Sequence, residues 1–168
     1  EALLRRACAL EPRIPVFRAW LAECLCRGGR AREAMKTLDS LLREQKDRAW
    51  WAHYQKASIW LELGRPRQAL REIGRVTAFE GLDVEGYYLA AQAKRALSDL
   101  SGALEAVDKA ILASSNFGRA YVLRSDIRGR LGRSQEALDD YRTAREKFPY
   151  LFNAEQTRAV DALLRTRA

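Results

Sequence analysis

The 168-residue chain is 48% apolar and 31% charged, with four prolines and ten glycines, a balance that excludes a disordered chain and suits a folded, mostly helical one. Charged side chains recur every few positions, so no stretch of about eighteen apolar residues is available to cross a bilayer. The net charge of +8 favours acidic partners, but 24 of the 30 basic residues are Arg, a skew that a GC-rich coding sequence also generates.

Ten helices are predicted, in chain order at 1–11, 15–28, 31–45, 48–63, 66–79, 84–97, 100–113, 118–131, 134–147 and 153–166. Nothing in Glu1 to Pro12 has the basic start, apolar stretch and cleavage site of an export signal. In the second helix Cys24 and Cys26 stand two apart and point away from each other, so they cannot bridge. With Cys8 they read as small apolar core residues of a protein in a reducing compartment, the cytoplasm favoured over the periplasm. The single histidine, His53, leaves no Cys and His cluster at metal-ligand spacing.

The helices fall into a repeat. Gly29-Arg-Ala-Arg-Glu-Ala34-Met35, Gly64-Arg-Pro-Arg-Gln-Ala69-Leu70, Ser98-Asp-Leu-Ser-Gly-Ala103-Leu104 and Gly132-Arg-Ser-Gln-Glu-Ala137-Leu138 align, with their alanines 35, 34 and 34 residues apart. Before each alanine a helix-opening slot holds Arg18, His53, Tyr87 and Tyr121, and four residues later come the small residues Ala22, Ala57, Ala91 and Ser125. Beyond the alanines lie Leu38, Ile73, Val107 and Tyr141, then Leu41, Val76, Ala110 and Ala144. Spacings of three and four set these slots on one helical face. Small residues on both helices permit a close antiparallel approach, and the glycines supply the turn between them. Such a hairpin cannot cover its own apolar stripe, so hairpins stack into a right-handed superhelix.

The pattern resembles the tetratricopeptide repeat, whose period and small-residue slots it shares along nearly the whole chain. The fold class implied is all-α, a right-handed solenoid of about four hairpins, at 15–46, 48–81, 84–115 and 118–149. Residues 1–12 match the second helix of a preceding repeat, as expected of a piece of a longer array, and 153–166 read as a capping helix. The resemblance further implies that the first helix of each hairpin lines a concave face. Its partner-binding candidates are Glu23, Arg27, Trp51, Tyr54, Ser58, Tyr88, Gln92, Arg95, Arg119, Val122, Asp126 and Arg130. Where some members of the family clamp a chaperone tail with Lys and Asn, this chain has Ala19, Glu23, Tyr54 and Ser58, so that ligand is not expected.

The mixed aromatic, basic and acidic wall suits a protein or peptide partner, acidic ones included. A basic groove for single-stranded nucleic acid is the alternative, and a docking array within a larger assembly such as secretion or envelope machinery is a third reading. No catalytic constellation, cofactor loop or metal motif is present, so neither an enzyme nor a cofactor is expected. Glu33, Glu72, Glu105, Asp108, Glu136, Asp139 and Asp140 are expected on solvated outer faces. Trp20, Trp50 and Trp60 are expected in packing, and His53 as a packed residue rather than a base.

Overall fold

The computed structural model describes residues 1–11, 14–45, 50–77 and 83–152. Among them are nine α-helices: α1 (Ala2–Leu10), α2 (Pro15–Arg27), α3 (Ala31–Gln45), α4 (Trp50–Glu62), α5 (Pro66–Thr77), α6 (Val84–Ala96), α7 (Leu100–Ala113), α8 (Gly118–Arg130) and α9 (Ser134–Lys147). A 3-10 turn, Pro149–Leu151, follows. The capping helix expected at 153–166 lies outside the described residues.

The helices pair as α2/α3, α4/α5, α6/α7 and α8/α9, with α1 as a half-hairpin against α2. Each second helix touches the next first helix, and first helices also touch one another along the series α2, α4, α6, α8. No comparable contact joins successive second helices among the described residues. The first helices therefore form the tighter inner wall of an all-α solenoid, and the second helices splay outward.

Close packing at the small slots holds each pair. Ala22, Ala57 and Ala91 on the first helices are wholly buried, as are Ala34, Ala69 and Ala103 on the second. The fourth hairpin replaces the first-helix alanine with Ser125, whose hydroxyl donates to the carbonyl of Ala137 at 2.7 Å. Leu38, Ile73 and Val107 fill the next turn. A larger side chain at any of these slots would force the helices apart, a strain of about 1–3 kcal/mol.

The four turns share one geometry. Gly29, Gly64 and Gly132 adopt positive φ, and Ser98 takes the same left-handed conformation at φ 64°. In each, the amide after this residue bonds back to the carbonyl five residues earlier, as from Arg30 to Leu25 and from Asp99 to Lys94, which closes the helix and reverses the chain. Ser98 is thus a non-glycine residue in a glycine position. Asp83 and Asp99 cap α6 and α7 through the amides of Gly86 and Gly102.

Buried carboxylates correct the expected pattern. Glu72 and Asp140 lie inside, not on solvated faces. Lys56 Nζ reaches Asp39 of the preceding hairpin at 2.8 Å and Glu72 of its own at 3.1 Å. Two repeats on, Arg124 does the same with Asp108 at 2.7 Å and Asp140 at 2.6 Å. His53 Nδ1 lies 2.8 Å from Glu72, and Arg128 adds a second cation to Asp140 at 2.7 Å. The equivalent first-helix position holds buried Leu21 and Ala90 in the other two hairpins, so ionic and apolar contacts alternate along the stack. The expected packing of Trp50 and Trp60 holds, both lying half-buried on the central core. Trp20 does not follow it, being half exposed beside Phe17.

Replacing Ser98 with Gly is expected to raise the unfolding free energy by about 0.5–1 kcal/mol in a urea titration, and Gly64→Ala to lower it by about 1 kcal/mol. Lys56→Met leaves Glu72 short of a buried cation and is expected to cost about 3 kcal/mol, most of it recovered by adding Glu72→Leu. Burial pushes the Glu72 carboxyl up, but hydrogen bonds from His53 and Lys56 and the charge of Arg75 outweigh it and hold the pKa below the ordinary 4.5. A depressed folded-state pKa stabilises fully above 4.5 and is lost as pH falls through the lower value. Acid titration of stability is therefore expected to fall more gently for Glu72→Gln than for the wild type.

Candidate partner-binding groove

Two hollows lie along the inner wall. The first, about 320 Å³, is lined from α2, α4 and α6 by residues that include Glu23, Arg27, Tyr54, Gln55, Ser58, Glu62 and Glu85. The second, about 510 Å³, is lined from α6 and α8 by Tyr88, Gln92, Arg95, Val122, Leu123 and Asp126, with Leu151 at its end. Arg119 borders both, so they form one continuous groove.

Charge is sorted along it. In the first hollow Glu23 is occupied by Arg27 at 2.6 Å and Glu85 by Arg119 at 3.2 Å. Glu62 has no cation within ion-pair distance among the described residues; its carboxylate accepts from the Cys26 thiol at 2.9 Å. Burial, then this bond, pushes the thiol pKa up to about 11, so Cys26 stays protonated at neutral pH. In the second hollow the balance reverses. Asp126 is shared between Arg95 at 2.7 Å and Arg130 at 3.2 Å, leaving cationic charge in excess. The Arg119 guanidinium stands 5.3 Å from the centre of the Tyr88 ring and 4.8 Å from that of Phe117, while those rings meet edge to face at 5.1 Å.

Ten of the twelve candidates line the hollows. Arg130 does not, but holds Asp126 in place. Trp51 packs against the core between α2, α3 and α4 instead of facing either hollow. Tyr54 is buried and offers little surface; burial, and next the charge of Asp83, push its phenol up to about 12. Gln55, Cys26, Ile59 and Leu89 also line the groove, and their positions beside the regular slots gave no signal in the sequence. Cys24 corrects the expectation for the cysteines, since it is exposed, whereas Cys8 and Cys26 pack half-buried on the first core. Among the described residues no group of His, Cys, Asp and Glu could hold a metal ion, and no helix is long and apolar enough to cross a membrane.

Residues 1–57 match the tetratricopeptide repeat family profile, and the same register of alanines and turns continues to Ala137. Over those 57 residues the chain is similar to the tetratricopeptide repeat family. No curated protein sequence is a significant match. Among solved structures the array is similar to MamA from Desulfovibrio magneticus RS-1, at 19% identity and TM-score 0.69, over 89% of this chain and 84% of that one. TTC0263, a thermophilic TPR protein of Thermus thermophilus, is 20% identical at TM-score 0.71, over 81% and 75%. YrrB, described as a TPR protein with an unusual peptide-binding site, is 16% identical at TM-score 0.64, over 87% and 75%. These likenesses concern the fold of the array.

The contrast between the two helix-α2 thiols can be measured. Iodoacetamide at pH 8 is expected to alkylate exposed Cys24 well before Cys26, with peptide mass spectrometry giving the order.

Proposed function

We propose that the array is a protein-interaction scaffold whose inner groove holds an extended segment of a partner protein. The observation that carries this reading is the sorted charge of one continuous groove, anionic around Glu62 and cationic around Arg95 and Arg119. An extended segment with a basic residue toward α2 and α4 and an acidic one toward α8 would meet both excesses. Neutral donors and acceptors stand between the charges. Ser58 and Gln55 line the first hollow, the buried Gln55 side-chain oxygen having no hydrogen-bond partner among the described residues, and Gln92 donates to the Tyr88 hydroxyl at 3.1 Å. Groups of this kind suit the N–H and C=O of a peptide backbone. The carboxylates of the first hollow oppose a phosphodiester strand, which would bring like charge against Glu62. The peptide-binding site named for YrrB supports the same mode of use.

Panning a random twelve-residue peptide library on the array tests the reading. Enriched peptides are expected to carry one basic and one acidic residue several positions apart. Arg95→Ala combined with Arg119→Ala is expected to weaken them at least tenfold, a loss consistent with two partly buried charged contacts. Enriched peptides that bind this variant as tightly as the wild type would contradict the proposal.

A further inference from the structure

The positive charge is not spread evenly. Residues 1–77 hold sixteen Lys and Arg against nine Asp and Glu, whereas residues 83–152 hold eleven against ten. A base-composition bias would raise both halves alike, so the excess belongs to the N-terminal half of the array, residues 1–77. There it collects outside the inner wall. Between the outward helices α3 and α5 lie two adjoining hollows of about 780 and 820 Å³ that share Lys36 and Asp39. Arg32, Lys36 and Arg43 rise from α3, Arg65 and Arg75 stand on the other side, and His53, Lys56 and Trp60 of α4 form the floor.

Among the described residues Arg32, Lys36, Arg43 and Arg65 have no carboxylate within ion-pair distance; Arg43 reaches only the Asp39 carbonyl at 3.3 Å, and Arg65 lies 5.7 Å from the centre of the Trp60 ring. The carboxylates that do border the groove are engaged, Asp39 by Lys56 and Glu33 by Arg30. The third and fourth hairpins pair more of their cations, leaving Lys94, Arg133 and Lys147 without a carboxylate within ion-pair distance among the described residues. On α7 and α9 Lys109 pairs with Glu105 and Arg142 with Asp139, and at the seam with α8 Arg124 pairs with Asp108 and Arg128 with Glu136. Unpaired like charges crowded into one cleft repel one another, and helix stability alone gives no reason to keep them.

We infer that this outer groove is a second binding site, and that it takes a single-stranded nucleic acid. The cations line a cleft whose floor includes Lys56, which a planar bilayer surface could not reach. No Asn, Gln, Ser, Thr or Tyr lines either hollow among the described residues, so a peptide backbone would find few neutral partners there, in contrast to the inner groove. A phosphodiester strand needs cations for its phosphates and a flat surface for a base. The walls supply the first, and the Arg65 guanidinium stacked over Trp60 presents the second, a planar face for a base.

Fluorescence anisotropy with labelled (dT)12 and (U)12 at 50 mM salt tests this, with a labelled twelve-residue polyglutamate peptide alongside. The wild type is expected to bind the oligonucleotides, and Lys36→Glu with Arg43→Glu, both exposed, to weaken them at least tenfold. The slope of log Kd against log salt should flatten by about 0.7 for each lost phosphate contact. Lys109→Glu with Arg142→Glu, an equal change of net charge on the outer face of the last two hairpins, is expected to leave binding within twofold of wild type. If the reversal at Lys36 and Arg43 does not fold, Arg32→Ala with Lys36→Ala serves in its place and is also expected to weaken binding. Absence of oligonucleotide binding, an equal loss in the control variant, or polyglutamate binding as tight as the oligonucleotides would overturn the inference.

Discussion

Everything in this molecule follows from how closely the two helices of a hairpin approach. Alanine on both facing surfaces lets backbones lie nearly in contact, so the apolar residues one turn away, Leu38, Ile73 and Val107, close over the seam and are buried. Because a hairpin so built is thin, its remaining apolar stripe is covered only by the next hairpin. Stacking then sets the first helices side by side as a continuous wall. The groove is a consequence of this wall, and side chains that project from it at regular steps become its lining.

The same approach explains why two kinds of contact alternate between hairpins. Where the first-helix position facing the seam is Leu21 or Ala90, contact is apolar; where it is Lys56 or Arg124, a buried acid on the second helix must answer it. Burial of a charge is tolerable only when it is paired and hydrogen-bonded, and both cations are shared with an acid of the preceding hairpin as well. The ionic contacts therefore tie neighbouring repeats together in addition to closing their own.

Most of the architecture was legible in the sequence because it repeats: one alanine register predicted the helices, the turns and the small slots, including Ser98 in a glycine's place. The buried acids were harder to see. Glu72 and Asp140 sit three residues past the anchor alanines, at the border between the apolar stripe and the solvated face, where a helical wheel alone assigns them outward. The signal that could have found them is the charged residue at an otherwise apolar register, Lys56 and Arg124. The regular slots of the first helices project into the two inner hollows. Trp50 and Trp51 pack on two different cores, one on each side of α4, which a single helical wheel does not separate, and Gln55 and Cys26 reach the hollow because helix rotation brings residues beside the slots into it. How charge sorts between inner and outer grooves depends on which cations find partners across the hairpins, which no single helix records.

Amide hydrogen exchange of the array, with and without the tightest peptide selected on it, tests most directly whether the wall of first helices is the surface that holds a partner. Added protection is expected in peptides from α4, α6 and α8, with little change in α3, α5 and α7. Protection confined to the second helices, or spread evenly over both, would contradict that role of the wall.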